Sequence, residues 1–453
     1  MSSKIVISEI AEIIMGQSPK KKDVNEIGNG YPLLNGPTEF TERYPEPVQF
    51  TTDGKRFSDS DDILFCVRGS TTGRMNYADQ PYAIGRGIAA IRGKDGYPTP
   101  FVRAVIENNL YRLLAAATGS TFPNVSKSLL NEFEVEVISA VEAQEANEII
   151  VSIENKIHLN QQTNETLEAM AQAIFKSWFV NFDPVRAKIE ANAEGHDPNR
   201  AAMAAIAGVS LEQDWDDIEA ALQQKLDRMS DTQRTQLRQT AKLFPDELVE
   251  SEIGVVPKGW GIDSVFNQAE YINGAAFQGK DFSKSDLGLP VIKIAELKSG
   301  ISDQTKFTEK EVKDKYHIDS GDILFSWSGN PDTSIDIFIW EGGKGLLNQH
   351  IFKINSESKT RKVFNYYFLK SMLPFFKRTA ANKQTTGLGH VTQRDLKRKQ
   401  ITIPSKELVT AFSEIAEPIF DKIFTNLMEV QNLSKLRDTL LPKLISGELG
   451  FEV

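Results

Sequence analysis

The sequence is written nearly twice, with the second copy about 260 residues after the first. Asp62-Ile-Leu-Phe65 returns as Asp322-Ile-Leu-Phe325, and Gly30-Tyr-Pro-Leu-Leu34 aligns with Gly288-Leu-Pro-Val-Ile292. Thr118-Gly119 aligns with Thr386-Gly387, and each copy ends in a long helical pattern, Ile153 to Trp178 and Ile419 to Leu444. The matches keep their order while the offset drifts between 258 and 268, which is what loop insertions do. A repeat this long is no solenoid unit. It predicts two similar globular domains related by a pseudo-two-fold.

A chain of 453 residues, 40% hydrophobic and 25% charged, can form two or three compact domains with proper cores. The single Cys66 rules out a disulfide framework or Cys-rich zinc site, and the five histidines form no His-x-x-x-His pair, so no metal site is expected. No run of 18 apolar residues exists and the Met-Ser-Ser-Lys start has no signal-like apolar stretch, so the expectation is a cytoplasmic protein with no membrane partner.

A net charge of −10 argues against nucleic acid only until it is mapped. The acid excess lies in 141–182 (two bases, six acids) and 183–250 (eight bases, fourteen acids), leaving the repeated parts near neutral. Residues 359–399 hold eleven bases against Asp395 alone, and the matching stretch 68–112 holds seven bases, six of them arginine, against three acids. Lysines mostly neutralise phosphates, whereas arginines also make bidentate contacts to guanine. A solvated charged face is the alternative, weakened because the clusters recur at matching positions.

In 1–140, short apolar runs (Ile5-Val6-Ile7, Ile63-Leu64-Phe65, Ile88-Ala89-Ala90-Ile91, Val135-Glu-Val137) alternate with Gly, Pro and Asn turns. They read as strands, with one helix over Phe101 to Ala117 whose counterpart, Val363 to Ala380, contains Pro374; the domains are α+β (α/β). The long segments space Ile153, Ile157, Asn160 and Leu167, and Ile419, Ile423, Asn426, Leu433 and Leu440, by alternating threes and fours, the seam of a coiled coil. Asn160 and Asn426 fall at equivalent seam positions, where a buried polar residue can fix register. Between them, 183–250 is an acidic helical insert in which Ala201 to Ala207 is alanine-rich and helical and Leu211 to Gln239 is charged and amphipathic, with Pro245 to Trp260 a linker into the second domain.

Three segments carry a resemblance: Leu440-Leu-Pro-Lys-Leu-Ile-Ser-Gly-Glu-Leu449, Ser177-Trp-Phe-Val-Asn-Phe-Asp-Pro-Val-Arg186 and Gly254-Val-Val-Pro-Lys-Gly-Trp260. They resemble the recurrent segments of type I restriction-modification specificity subunits, in the family's order and over the whole chain. The resemblance implies two target recognition domains, 1–140 and 251–407, joined by spacer helices, 141–182 and 408–449, that form an antiparallel coiled coil. It further implies that each domain reads half of a bipartite site on double-stranded DNA. The expected partners are two methyltransferase subunits and, for cleavage, motor-nuclease subunits. Recognition domains vary so widely in the family that no target sequence transfers.

No catalytic residue or cofactor is expected. The chain has no Pro-Pro, hence no Asn/Asp-Pro-Pro-aromatic loop for a flipped adenine, and no Walker loop for ATP. Asp332 with Glu341-Gly-Gly-Lys344 misses a nuclease spacing by one residue. A scaffold without sequence readout, or a self-sufficient methyltransferase or nuclease, are the rival classes. The candidate base readers follow each Asp-Ile-Leu-Phe strand: Arg68, Ser70, Thr71, Thr72, Arg74 and then Arg86 in one copy, Trp327, Ser328, Asn330 and then Gln349 in the other. A second matched pair of loops offers Ser120, Thr121 and Asn124, and Lys383, Gln384, Thr385 and His390, with Arg394 and Lys397 beyond. All of these loops can equally be structural turns; Phe122 reads as a packing anchor and His350 as a core histidine.

Overall fold

The computed structural model describes residues 2–119, 123–384 and 388–449; Ser120, Thr121, Phe122, Thr385 and the Thr386-Gly387 match lie outside the described residues. The described chain forms two compact units, one of 1–160 with 432–453 and one of 161–431.

In the first unit, Ile63–Cys66 is an inner strand of the four-stranded antiparallel sheet Ala11–Met15, Ile88–Gly93, Ile63–Cys66, Met75–Tyr77. Its side chains alternate between two cores: Ile63 and Phe65 enter one and Leu64 and Cys66 the other, so the strand is buried on both faces. The second unit repeats this with Glu270–Asn273, Ile351–Asn355, Ile323–Ser326 and Asp336–Ile339 in the same order. Ile323 and Phe325 face one core there and Leu324 the other. The register is also repeated: Ile63 opposes Ile91 and Phe65 opposes Ala89, while Ile323 opposes Ile354 and Phe325 opposes Phe352.

The motif's aspartate has its own task. Asp62 Oδ2 accepts from the amide of Asp59 (2.8 Å) and Asp322 Oδ2 from that of Asp319 (2.9 Å), closing the turn that launches each strand. A second small sheet joins Tyr31–Leu34 parallel to Ala83–Ile84, and Leu289–Ile292 parallel to Gly345–Leu347. Ser3–Val6 pairs with Glu134–Val137, as Gly261–Ser264 pairs with Gln400–Ile403. Ile7, expected in the first strand, instead begins the helical turn Ile7–Ile10.

The helix expected over Phe101 to Ala117 is two, Thr99–Asn108 and Leu110–Ala115, broken at Asn109. Its counterpart breaks at Met372 between Lys359–Ser371 and Leu373–Ala381, where Pro374 occupies the first turn. The long helices run Ala140–Lys176 and Lys406–Ser446. In the first unit Ala143, Ala146 and Ile150 share a core with Leu441, Leu444 and Ile445. In the second, Asn426 bonds Asn164 and Phe412 packs on Phe175, so the segments there run in opposite directions. The insert forms four helices, Asp183–Glu194, Pro198–Ile206, Trp215–Asp227 and Asp231–Leu243; the last three share a small core, and Ala187 and Ala191 of the first pack with Ala201. The charged, amphipathic stretch from Leu211 to Gln239 holds parts of two helices, the second started by a Ser230–Gln233 capping box.

Candidate nucleic-acid interface

Three loops meet in each unit, held by backbone hydrogen bonds. In the first unit the amide of Val67 donates to the Gly87 carbonyl (2.9 Å) and that of Val125 to the Val67 carbonyl (2.9 Å), while Arg68 pairs with Asn124 as a β-bridge. In the second, the amide of Trp327 donates to the His350 carbonyl (3.3 Å) and that of Val391 to the Trp327 carbonyl (2.8 Å), while Ser328 pairs with His390. The two loop families that the sequence suggested separately are therefore one cluster, and the pairing equates Arg68 with Ser328, Arg86 with Gln349, and Asn124 with His390.

Within the first cluster the candidates divide. Thr72 Oγ1 is placed between the carbonyls of Gly69 and Pro123 (2.8 Å each), tying two loops together. The Arg74 guanidinium is directed at the carbonyls of Phe40 (2.5 Å) and Thr41 (3.4 Å). Thr71 Oγ1 lies 3.9 Å from the buried Cys66 Sγ, and burial pushes that thiol's pKa up. Ser70, Arg68, Arg86 and Asn124 are exposed, and neither the Arg68 nor the Arg86 guanidinium has a hydrogen-bond partner among the described residues.

The arginine cluster thins in the same way. Arg92 pairs with Asp59 (2.5 Å) and Asp62 (2.7 Å), Arg103 with Glu107 (2.8 Å), and Arg112 bonds Asn109 (2.7 Å) and covers the Phe133 ring. With Arg74 on the backbone, Arg68 and Arg86 remain directed at solvent.

In the second cluster, Trp327 is half-buried, stacks on Phe352 (5.5 Å between ring centroids) and donates to Asn273 Oδ1 (3.1 Å). Asn330 Oδ1 accepts from the amides of Asp332 (3.0 Å) and Thr333 (3.2 Å), a turn built from its own side chain. Gln349 is exposed, with Nε2 3.3 Å from His350 Nε2. His350 itself is exposed beside Trp327 (5.7 Å), not a core histidine: the turn after Asn348 directs it outward. Lys383 is bound by the Asp395 carboxylate (2.5 Å), and Asp395 in turn accepts from Thr392 (2.6 Å), interactions that hold this carboxyl below the usual range against its burial. Gln384 is exposed, and His390 is half-buried in its β-pair.

The lysine-rich stretch is also partly neutralised, by acids distant in sequence. Lys359 pairs with Glu417 (2.7 Å) and Asp421 (2.8 Å), Lys370 with Asp336 (3.0 Å), and Lys397 sits 4.5 Å over the Phe266 ring. Arg378, Arg394 and Arg398 are exposed. The net count along the sequence overstates the free positive charge because it cannot see these partners.

On the seam, Ile153, Ile157, Asn160, Ile423 and Asn426 are buried, whereas Leu167, Ile419, Leu433 and Leu440 are half-buried. Phe420, one place beyond Ile419, is the deeper of the two, while Ile423 and Asn426 after it keep the seam spacing.

Among the described residues no group of His, Cys, Asp and Glu is placed to hold a metal ion, and no helix is long and apolar enough to cross a membrane. The family described as type I restriction modification DNA specificity domain matches residues 3–169 and 257–430, one match on each repeat. The chain is 29% identical over 354 residues to the type I restriction enzyme HindI specificity subunit of Haemophilus influenzae, covering 75% of this chain and 74% of that one. It is 23% identical to the MjaIX specificity subunit of Methanocaldococcus jannaschii over 98% of this chain and 93% of that one. A crystal structure of the type I restriction-modification S subunit from M. genitalium aligns with a TM-score of 0.46 at 15% identity, over 98% of this chain and 96% of that one. With both repeats matched, the chain belongs to the type I restriction-modification DNA specificity family.

Proposed function

We propose that the three-loop cluster of each unit is its DNA-reading surface, so that the two units read the two halves of a bipartite, asymmetric target. The observation that carries this reading is one backbone frame used twice with different side chains: the exposed Arg68, Arg86 and Asn124 against the exposed Gln349 and the half-buried Ser328 and His390. Exposed bases such as Arg378, Arg394 and Arg398 would contact phosphates and set register without carrying sequence information. The chain itself is the non-catalytic recognition subunit of a cytoplasmic complex. Two methyltransferase subunits dock on its helices, and motor-nuclease subunits join for cleavage.

The long helices, of 37 and 41 residues, are the ruler between half-sites in this reading. At 1.5 Å per residue each extends about 55–60 Å. Deleting one heptad from both helices should shorten the preferred spacer between half-sites, read by sequencing methylated bases in cells that carry the complex. A spacer unchanged by the deletion rules the ruler out. Loss of sequence-selective, salt-dependent binding when the loops are altered tests the reading surface itself.

A further inference from the structure

Arg86 and Gln349 stand at the same place on the same rigid turn. The amide of Gly85 donates to the Leu34 carbonyl (2.8 Å) and that of Ile88 to the Gly85 carbonyl (3.0 Å), which closes a four-residue turn with Arg86 and Gly87 at its tip. In the second unit the amide of Asn348 donates to the Ile292 carbonyl (3.1 Å) and that of Ile351 to the Asn348 carbonyl (3.1 Å), leaving Gln349 and His350 at the tip. A neighbouring segment braces each turn: the Gly16 amide donates to the Ile88 carbonyl (2.9 Å) and the Gly274 amide to the Ile351 carbonyl (3.1 Å). A Cβ on Gly16 would overlap the Gly85 carbonyl, and one on Gly274 the Asn348 carbonyl. Gly85 and Gly87 are pressed so closely on Asn35 that neither can carry a side chain, and the Arg86 amide donates to Ser18 Oγ (3.1 Å).

The turn is thus clamped on several sides while its tip residue is exposed, with the backbone fixed and the reading group free. Of the arginines in 68–112, Arg86 is the one whose Cα is held in this way, and its guanidinium has no hydrogen-bond partner among the described residues. An arginine so presented pairs bidentately with O6 and N7 of guanine, and a glutamine with N6 and N7 of adenine. Gln349 Nε2, 3.3 Å from His350 Nε2, has its carboxamide oriented at the tip. We infer that Arg86 and Gln349 are corresponding specificity residues, so that the first half-site carries a guanine at the position where the second carries an adenine. The inference rests on the two-half-site reading above.

The test uses the full complex in cells, with methylated sites sequenced for the wild-type chain, Arg86→Gln, Gln349→Arg and a strain lacking the chain. Arg86→Gln should change one guanine of the first half-site to adenine and leave the second half-site and the spacer untouched; Gln349→Arg should do the converse. If methylation disappears in a variant, Arg86→Ala is assayed on a panel of duplexes substituted one base pair at a time. Loss of about tenfold to a hundredfold discrimination at one position supports the inference. A uniform loss at every position marks a phosphate contact and overturns it, as does an unchanged motif in both exchanged variants. Should the motif persist without the chain, the half-site reading fails as well, so the two failures are told apart.

Discussion

The two units seat their recognition sheets on the long helices by different chemistry. In the first unit, Glu154 of the first long helix accepts from the Tyr77 hydroxyl (3.3 Å), the Arg103 guanidinium lies 4.4 Å over the Tyr77 ring, and Arg43 bonds Asn155 (2.8 Å). The offset of 263 that relates the helix breaks at Asn109 and Met372 carries Arg103 onto Tyr366, and the helical offset of 266 carries Glu154 onto Phe420. Tyr366 and Phe420 meet edge to face (5.3 Å), beside a cluster in which Phe412 touches Phe175, Trp178, Phe179, Phe364 and Tyr367. One joint is held by a half-buried charge network, whereas its copy is mostly rings and keeps one carboxylate contact, the Tyr366 hydroxyl donating to Glu168 of the first long helix (3.0 Å). A duplicated backbone therefore does not need duplicated energetics; any set of side chains that fills the joint and satisfies its polar atoms serves.

That difference makes the aromatic joint the costlier to open by truncation. Phe412 is fully buried and touches five rings, so Phe412→Ala removes both transfer energy and packing and should cost about 4 kcal/mol. Urea unfolding of the full chain reads this as an early transition of the second unit. A loss below about 1 kcal/mol would mean that the cluster collapses around the gap and is not the main fastening.

In the charged joint the corresponding variant is Arg103→Met, and its effect depends on pH. Burial raises the Glu154 pKa above its ordinary 4.5, and the Arg103 charge pulls it back down. A carboxyl whose folded pKa is raised contributes its full stability below the unfolded value and loses it as pH rises through the folded value. Removing Arg103 pushes the folded value higher, so the variant loses more at about pH 8 than at about pH 5. The expected cost is about 3 kcal/mol at the higher pH. Equal losses at both pH values would show that Arg103 acts through its other contacts, the Tyr77 ring and Glu107, and not through Glu154, and Phe412→Ala supplies the pH-independent control.

The frame of both units was legible because it is hydrophobic patterning. The Asp-Ile-Leu-Phe strands, the repeat offsets and the seam asparagines are local signals, and all recur in the fold. The break at Asn109 within the helix expected over Phe101 to Ala117 is not legible, because Asn109 is no breaker as strong as Pro374. The candidate readers were harder, since whether a base is free depends on acids far away in sequence. Lys383 meets Asp395, Lys359 meets Glu417, and Arg92 meets Asp59 across 33 residues. His350 reads as a core residue for the converse reason: its outward direction is set by a turn that begins at Asn348 and is anchored to Ile292.

The same distinction between occupied and free bases predicts two kinds of surface variant. Arg394→Ala removes an exposed charge and should lower the slope of log affinity against log salt by about one, with the melting temperature unchanged. Lys383→Ala should leave the salt slope alone and cost about 1 kcal/mol, since Lys383 neutralises Asp395 in a half-exposed pair. Arg68→Ala in the first unit should behave as Arg394→Ala does if it faces phosphate, and narrow its effect to one base pair if it faces a base edge. Identical slopes for the Arg394 and Lys383 variants would break the division between the two classes.

The copies part once more on the seam, where the smallest effect is expected of a double variant. The helical offset carries Asn160 onto Asn426 but Asn164 onto Val430, so the polar ladder of the second unit is not duplicated. There Asn426 Nδ2 donates to Asn164 Oδ1 (2.8 Å) and Asn164 Nδ2 donates to the Ile423 carbonyl (3.2 Å). Asn426 Oδ1 is buried with no partner among the described residues. Asn164→Leu alone strands the Asn426 amide and should cost about 1–2 kcal/mol, whereas Asn164→Leu with Asn426→Leu removes every one of these polar side-chain atoms and should fall within about 1 kcal/mol of wild type, on either side. If the double variant is at least as stable yet shifts the spacer preference of the complex, the asparagines serve register over stability. A double variant clearly less stable than the single one would show instead that the ladder is a net fastening of the second unit.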